Sequence, residues 1–468
     1  MTKIKFGTDG WRAIIAEDFT VNNVARVAEA TSKWLLKQHS KPTLVLGHDC
    51  RFAGQLFAES AAKVFLAYGI KVFLAKDFIS TPMISLGCVK YKTHLGIIIT
   101  ASHNPPSYNG YKIKGSYGGP LSPEHVQEIE DIISDVILSD WQNISLKEEE
   151  EKGMLEIAPL EDLYVKHVEE NFDLEAIKKS NLVLAYDAMF GAGQKVMKRL
   201  FPEIHKLHCE DNPGFNGQAP EPIHKNLIEF SNFIKEKGNI SCGLATDGDA
   251  DRIGLYNAKG HFVDSHHIIL LLIHYLVKYK KQSGKVVVAF STTVKIKNMC
   301  DHYGLQLEVV KIGFKYICSI MVAGDVLVGG EESGGIAIKG HIPERDGIWM
   351  GLTIWEFMAK SGKSLNALIE EVYAITGTFF FERNDLYIDE TIKVKVLQNC
   401  KSNAYTVFGK YNVQRVDTLD GFKFFFDENT WMMIRASGTE PVLRVYAEAS
   451  DQKTALEILA ETKKVLLA

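Results

Sequence analysis

The chain has 468 residues, 46% of them apolar and 24% charged, with a formal net charge of −5. At roughly 100–200 residues per domain this length predicts three or four packed units. The balance of charge shows no basic excess, which argues against nucleic acid and membrane surfaces as partners.

The seven cysteines are dispersed and form no CxxC pair, so a thiolate zinc site is not expected and the thiols read as reduced core fillers. No stretch of 18 apolar residues is present to span a membrane, and Met1 to Gly7 lacks the apolar run of a signal peptide. A cytoplasmic location is the expectation.

In chain order, short apolar runs at 43–47, 71–75 and 96–100 predict buried strands, with helices at 21–37, 55–68 and 123–138. Strands alternating with helices predict βαβ units and a largely parallel sheet. The charged run Lys147-Glu148-Glu149-Glu150-Glu151-Lys152-Gly153 reads as a solvated junction or a charged helix end. Further strands are expected at 181–186, 242–246, 285–290, 306–310 and 326–329. Strands at 422–426, 431–435 and 443–448, then a helix at 452–467, form a closing group. The fold class expected is α/β with four domains: three similar units with mixed, mostly parallel sheets at 1–150, 155–257 and 258–370, and an α+β domain at 375–468.

Each of the first three units places a polar sequence directly after an apolar strand. Thr100-Ala101-Ser102-His103-Asn104-Pro105 follows Ile97-Ile98-Ile99; Asp247-Gly248-Asp249-Ala250-Asp251-Arg252 follows Gly243-Leu244-Ala245-Thr246; Gly330-Glu331-Glu332-Ser333-Gly334-Gly335 follows Val326-Leu327-Val328-Gly329. Ligands of open α/β sheets sit at the carboxyl ends of strands, so three such ends facing one cleft would make a composite site.

Asp247, Asp249 and Asp251 repel one another unless a cation neutralises them, and Mg²⁺ takes oxygen ligands of this kind. An EF-hand would need glycine and glutamate where Arg252 and Ala258 stand. A dehalogenase-type phosphatase, with Asp247 as nucleophile, is the competing chemistry. Arg252 could hold one phosphate oxygen while the metal holds another. Ser102 has no Gly-x-Ser-x-Gly around it, which disfavours a Ser-His-Asp hydrolase. The Asn109-Gly110 pair signals a turn that could return Lys112 toward Ser102, where it could act as general acid or base if its neighbours lower its pKa. Gly362-Lys363-Ser364 lacks the earlier glycine of a P-loop, and Gly191-Ala192-Gly193 has Val196 where a dinucleotide fingerprint needs glycine.

Together with Phe6-Gly7-Thr8-Asp9-Gly10-Trp11-Arg12 and Arg435-Ala436-Ser437-Gly438-Thr439-Glu440-Pro441, these loops resemble the α-D-phosphohexomutase superfamily over nearly the whole chain. The resemblance implies four domains around a central cleft. It implies that Ser102 is the phosphoserine and that its phosphate joins Asp247, Asp249 and Asp251 in binding one Mg²⁺. It places Arg12, His103 and Lys112 at the transferring phosphate, with Lys112 the general acid/base candidate. Glu331 and Ser333 would read ring hydroxyls, Arg252, Lys315 and Arg345 would face the substrate, and Arg435, Ser437, Gly438 and Thr439 would hold the other phosphate. It implies a hexose phosphate as substrate and a hexose 1,6-bisphosphate as activator. The order Glu331-Glu332-Ser333, then His341-Ile342 and Glu344-Arg345-Asp346-Gly347, is more similar to glucose-preferring members. Phosphoglucosamine mutases usually show Glu-Gln-Ser-Gly-His, and many phosphomannomutases Glu-Met-Ser-Gly-His. Mannose is a second expected substrate, because glucose and mannose differ at one hydroxyl only; glucosamine phosphate is the alternative, and a Mg²⁺-dependent sugar phosphatase a more distant one.

Overall fold

A computed structural model describes residues 3–436 and 442–467. The first sheet has six strands, in the order Trp11–Ile14, Tyr108–Gly115, Leu95–Ile99, Thr43–His48, Lys71–Ala75, Leu155–Ala158. Its last four strands run parallel, and the two at the Trp11 edge are antiparallel. The second sheet, of five strands, pairs Leu184–Asp187 in parallel with His205–Leu207 and Cys242–Thr246, then turns antiparallel through Ile253–Asn257 and Phe262–Val263. The third has four strands, with Lys285–Ala289 parallel to Leu307–Val310 and Val326–Gly330, and Ile336–Ile338 antiparallel at the edge. The fourth sheet, of five strands from Phe380–Tyr387 to Val442–Ala449, is antiparallel throughout and carries the helix Gln452–Leu467.

The physics of these elements is ordinary. Ile97, Ile98 and Ile99 are fully buried, because a parallel strand covered by helices on both faces shows no polar side; each such side chain contributes about 1.5–3 kcal/mol. Helix Val21–Gln38 starts at Thr20, whose hydroxyl accepts from the Asn23 amide. Helix Gly347–Ser361 starts at Asp346, which accepts from the Trp349 amide, and ends on left-handed Gly362.

Several expectations are corrected. The helix expected over 123–138 stops at Asp131; the segment beyond it is fastened by Arg26, which donates to the Ser134 carbonyl and pairs with Asp135. The acidic run takes the helical one of its two expected readings, as Leu146–Glu151. The strand after it, Leu155–Ala158, belongs to the first sheet by pairing with Lys71–Ala75. Phe262–Val263, expected with the third unit, pairs with Ile253–Asn257 of the second sheet. Asn109-Gly110 lies inside a strand and not at a turn. A Cβ at Gly110 would lie 2.4 Å from the Thr100 carbonyl oxygen and 2.7 Å from that of Trp11, so the glycine there admits a close crossing of three chain segments.

A large core runs through the second and third units and reaches Val45 and Ile98 of the first. The first unit has a core of its own, and so has the last. Phe290, Phe425, Trp431, Met433 and Tyr446 join the third unit to the fourth. Among the described residues no helix is long and apolar enough to cross a membrane, and the seven cysteines are buried and free.

Candidate functional site

The hairpin between Leu95–Ile99 and Tyr108–Gly115 carries Ser102 at its tip. Ser102 has φ +53, a left-handed conformation that costs a residue with a side chain about 1–3 kcal/mol. Ala250, in the aspartate loop, has φ +58. The two loops touch: Ser102 Oγ donates to Asp247 Oδ2 at 2.7 Å. A Cβ at Gly248 would lie 2.6 Å from the Ser102 carbonyl oxygen, so only glycine permits this approach. The turn after Leu184–Asp187 supports the aspartate loop from behind, the Ala192 amide donating to the Gly248 carbonyl at 2.9 Å.

Asp247, Asp249 and Asp251 are fully buried, and each offers one carboxylate oxygen within 4.8 Å of the others. The second oxygens of Asp249 and Asp251 have no hydrogen-bond partner. Three buried carboxylates grouped this closely, two of them with an unpartnered oxygen, offer what a hard divalent cation requires, so the three residues fit Mg²⁺. Burial, then repulsion from Asp249 and Asp251, raises the Asp247 carboxyl well above the usual range. Burial pushes Asp249 the same way, but Lys112 and Thr81 outweigh it and hold Asp249 below that range. The Thr81 hydroxyl donates to Asp249 Oδ2 at 2.5 Å, tying the first unit to this loop.

Lys112 is buried, with Nζ 2.7 Å from Asp249, 3.0 Å from Asp251 and 2.9 Å from Asp9. The strand register places it beside Ile98, next to the serine hairpin. Its pKa is not lowered, as base chemistry would require: although burial disfavours the ammonium, the three carboxylates outweigh it and raise the pKa. Lys112 is therefore held as an ammonium in this arrangement. Arg345 pairs with Asp9 at 2.5 Å and Asp251 at 2.8 Å, so the cluster reaches it by way of carboxylates. Arg12 donates to Asn104 Oδ1 at 2.6 Å, on the serine loop. His103 Nδ1 lies 3.3 Å from Ser102 Oγ. Burial, then Arg252 and Arg12, drives its pKa well below the usual histidine range, so the ring is neutral. The Arg252 amide donates to Asp247 Oδ1 at 3.0 Å and its guanidinium lies 3.4 Å from Glu221.

The third unit closes on this centre through its backbone. The Ile253 amide donates to the Gly334 carbonyl and the Gly347 amide to the Ala250 carbonyl. Glu331 is buried and accepts from the Gly313 amide at 2.9 Å; burial lifts its pKa to about 7. Ser333 stands on the same loop, partly exposed. Lys315 is near the start of helix Phe314–Ala323, its ammonium over the Tyr316 ring and in no ion pair with the aspartates among the described residues. Arg435 is the penultimate residue of the strand Trp431–Ala436 and donates from Nε to Asp420 at 3.2 Å. Ser437, Gly438 and Thr439 lie outside the described residues. The His341 side chain is buried and stacks on Trp349, with Nε2 2.9 Å from Asp346, which makes it a packing residue of that helix start.

Sequence reasoning missed Asp9, Asp49, Arg51, Thr81 and Asp420. Asp49 and Arg51 follow the strand Thr43–His48 directly, the same placement that singled out the other three loops. Asp9 lies inside the motif ending at Arg12.

Comparison with known proteins agrees with this architecture. Models of the phosphoglucomutase/phosphomannomutase family match along the chain: alpha/beta/alpha domain I at residues 3–138, domain II at 162–260, domain III at 264–375 and the C-terminal domain at 392–465. A phosphoglucomutase/phosphomannomutase of Thermococcus kodakarensis is 28% identical, covering 98% of both chains. A phosphoglucosamine mutase of Methanococcus maripaludis is 30% identical, covering 89% of this chain and 90% of its own. The crystal structure of a Thermus thermophilus protein assigned as a phosphomannomutase superposes with a TM-score of 0.88 at 32% identity, over 100% of both chains. With four domains matched in order and a serine hairpin seated on a triad of buried aspartates, this chain belongs to the phosphoglucomutase/phosphomannomutase family and is a phosphohexomutase.

Proposed function

We propose that the enzyme interconverts the 1-phosphate and 6-phosphate of a hexose, glucose first and mannose second, through a phosphorylated Ser102 and a bisphosphorylated sugar. The observation that carries this reading is the contact between the Ser102 hydroxyl and Asp247 inside the aspartate triad. Asp247, Asp249 and Asp251 would hold Mg²⁺ together with the serine phosphate. Bound there, Mg²⁺ neutralises the charge that a phosphoserine of about −1.5 to −2 brings into a buried site.

In the first transfer the phosphoryl group leaves Ser102 for the free hydroxyl of the hexose monophosphate. Lys112, held as an ammonium, supplies a proton to the departing serine oxygen and recovers one from the attacking hydroxyl, so that the hydroxyl's proton ends on Ser102. Arg12 holds Asn104 of the serine loop, and His103, neutral, can accept or donate without adding charge. Glu331 and Ser333 take the ring hydroxyls, with Lys315 and Arg252 beside the sugar phosphate; Arg345 acts by holding Asp9 and Asp251. Arg435, Ser437, Gly438 and Thr439 take the phosphate that is not transferring. The bisphosphate reverses in the cleft and returns its other phosphoryl group to Ser102. A hexose 1,6-bisphosphate supplied from outside would recharge a dephosphorylated serine.

A second reading of the sugar rests on the relatives: besides the Methanococcus enzyme, a phosphoglucosamine/phosphogalactosamine mutase of Sulfurisphaera tokodaii is 27% identical over 98% of this chain. That observation favours an amino sugar; the Glu331-Glu332-Ser333 order favours glucose.

Labelling the enzyme with radioactive glucose 1,6-bisphosphate and mapping the label tests the proposal. The expected result is label on the Ser102 peptide, stable to hydroxylamine and absent from Ser102→Ala. Hydroxylamine-labile label on the Asp247 peptide would replace the mutase mechanism with an aspartyl-phosphate one.

A further inference from the structure

Arg51 is buried, yet it touches no carboxylate of the triad and takes no part in the chemistry described above. Its guanidinium instead grips the serine hairpin by the backbone. Nη2 donates to the carbonyl oxygens of Ser102 and Asn104, both at 2.6 Å; Nη1 donates to those of Pro105 at 2.9 Å and Tyr108 at 3.0 Å. Four carbonyls on one guanidinium use four of the five N–H bonds that it has. The fifth, on Nε, faces Asp49 at 3.5 Å. The ring of Phe215, from the second unit, lies 5.0 Å from the guanidinium carbon.

Asp49 holds the other side of the same residue. It accepts the Arg51 amide at 2.9 Å and the Thr100 hydroxyl at 2.5 Å, while the Thr100 oxygen accepts the Ser102 amide at 2.9 Å. Ser102 is thus held at its amide through Thr100 and at its carbonyl by Arg51. Between those two contacts is the left-handed φ of +53 that aims Oγ at Asp247. Such a conformation persists only where the surroundings over-determine it.

The geometry points to Arg51 as a positioning residue for phosphoryl transfer: with Asp49 and Thr100 it forces Ser102 into the left-handed conformation that presents its oxygen to the aspartate triad. The inference rests on Ser102 being the phosphate carrier. A lysine keeps the charge of Arg51 but offers three donors from one atom, so it cannot span four carbonyls. A hairpin tip displaced by roughly an ångström costs a transfer reaction on the order of 100-fold in rate.

The test uses the full chain with Arg51→Lys, Arg51→Ala, Thr100→Val and Ser102→Ala, each checked for folding by circular dichroism. For Arg51→Lys the expected kcat is lower by about 100-fold with KM for the hexose phosphate within about threefold. Guanidinium ion at tens of millimolar, on the order of the effective concentration of a tethered group, should restore part of the turnover of Arg51→Ala and none of Ser102→Ala. Thr100→Val, which removes only the hydroxyl link, should lower kcat in the same sense and carries the test if both Arg51 variants fail to fold. A folded Arg51→Lys with kcat within threefold of wild type overturns the inference, as does a folded Arg51→Ala whose turnover guanidinium leaves unmoved. If neither Arg51 variant folds, wild-type kcat in Thr100→Val overturns it. Turnover in Ser102→Ala would instead overturn the carrier reading, whatever the Arg51 variants do.

Discussion

Gly248→Ala puts a single methyl group between the two loops on which the chemistry depends. The new Cβ would lie 2.6 Å from the Ser102 carbonyl oxygen and 3.1 Å from Pro220 Cγ. Carbon and oxygen without a bond between them need at least about 3.2 Å, so the loops must part by roughly 0.5 Å or more. The serine loop cannot yield freely, because that same carbonyl oxygen accepts from Arg51 at 2.6 Å. The separation therefore falls on the 2.7 Å contact between Ser102 and Asp247. Overpacking of this kind costs about 1–3 kcal/mol of stability, whereas a sub-ångström misplacement of the transferring group lowers kcat by roughly 10- to 100-fold. Steady-state kinetics at saturating Mg²⁺, beside a thermal melt, separates the two effects. Gly324→Ala is the control, since its Cβ would meet nothing nearer than 3.7 Å. Unchanged kcat in a folded Gly248→Ala enzyme would refute the argument that the two loops must touch.

Other consequences follow from the same geometry. Because burial and its two neighbours raise the Asp247 carboxyl, protons compete with metal there; Mg²⁺ affinity should weaken as pH falls, and a pH-independent affinity in titration calorimetry would count against this. Glu331 ordinarily ionises near 4.5, and burial lifts it to about 7. The fold thus prefers its protonated form, so its contribution to stability is complete below about 4.5 and is lost as pH rises through about 7. A hydroxyl-reading carboxylate works in the opposite sense: kcat/KM should rise through about pH 7, and Glu331→Gln should flatten that limb while leaving the limb due to the substrate phosphate. Asp420 accepts the Ile312 amide at 2.8 Å and Arg435 Nε at 3.2 Å, and the next amide, Gly313, donates to Glu331. Asp420→Asn should therefore raise KM by about 5-fold, as the loss of a partly exposed ion pair worth about 1 kcal/mol would do; an unchanged KM would remove Asp420 from the substrate site.

Much of the fold is legible wherever local pattern and tertiary role agree. The strands Lys71–Ala75 and Cys242–Thr246 and the helix Gln452–Leu467 fall on their expected residues, because apolar runs bounded by polar residues have one favourable placement. Asn109-Gly110 misleads because local turn propensity competes with pairing to strands on both sides, and the pairing wins. The three polar loops are readable from their position after buried strands. Their neighbours are harder to see. Lys112 reads as a general acid or base with a lowered pKa until the fold brings Asp9, Asp249 and Asp251 within 3.0 Å, which holds it as an ammonium. Arg345 looks like a substrate ligand until Asp9 and Asp251 are found on it. Arg51 is not legible in the sequence because its partners are backbone carbonyls, which no pattern of side chains announces.

Phosphorus NMR with Mg²⁺, a trace of hexose bisphosphate and the 1-phosphates of glucose, mannose, glucosamine and N-acetylglucosamine in turn tests the central claim most directly. The expected result is conversion of glucose 1-phosphate to glucose 6-phosphate, slower conversion of the mannose compound, little change in the amino sugars, and none at all with Ser102→Ala. Conversion of the amino sugars alone would overturn the sugar assignment, and release of inorganic phosphate in place of a 6-phosphate would contradict the mutase mechanism itself.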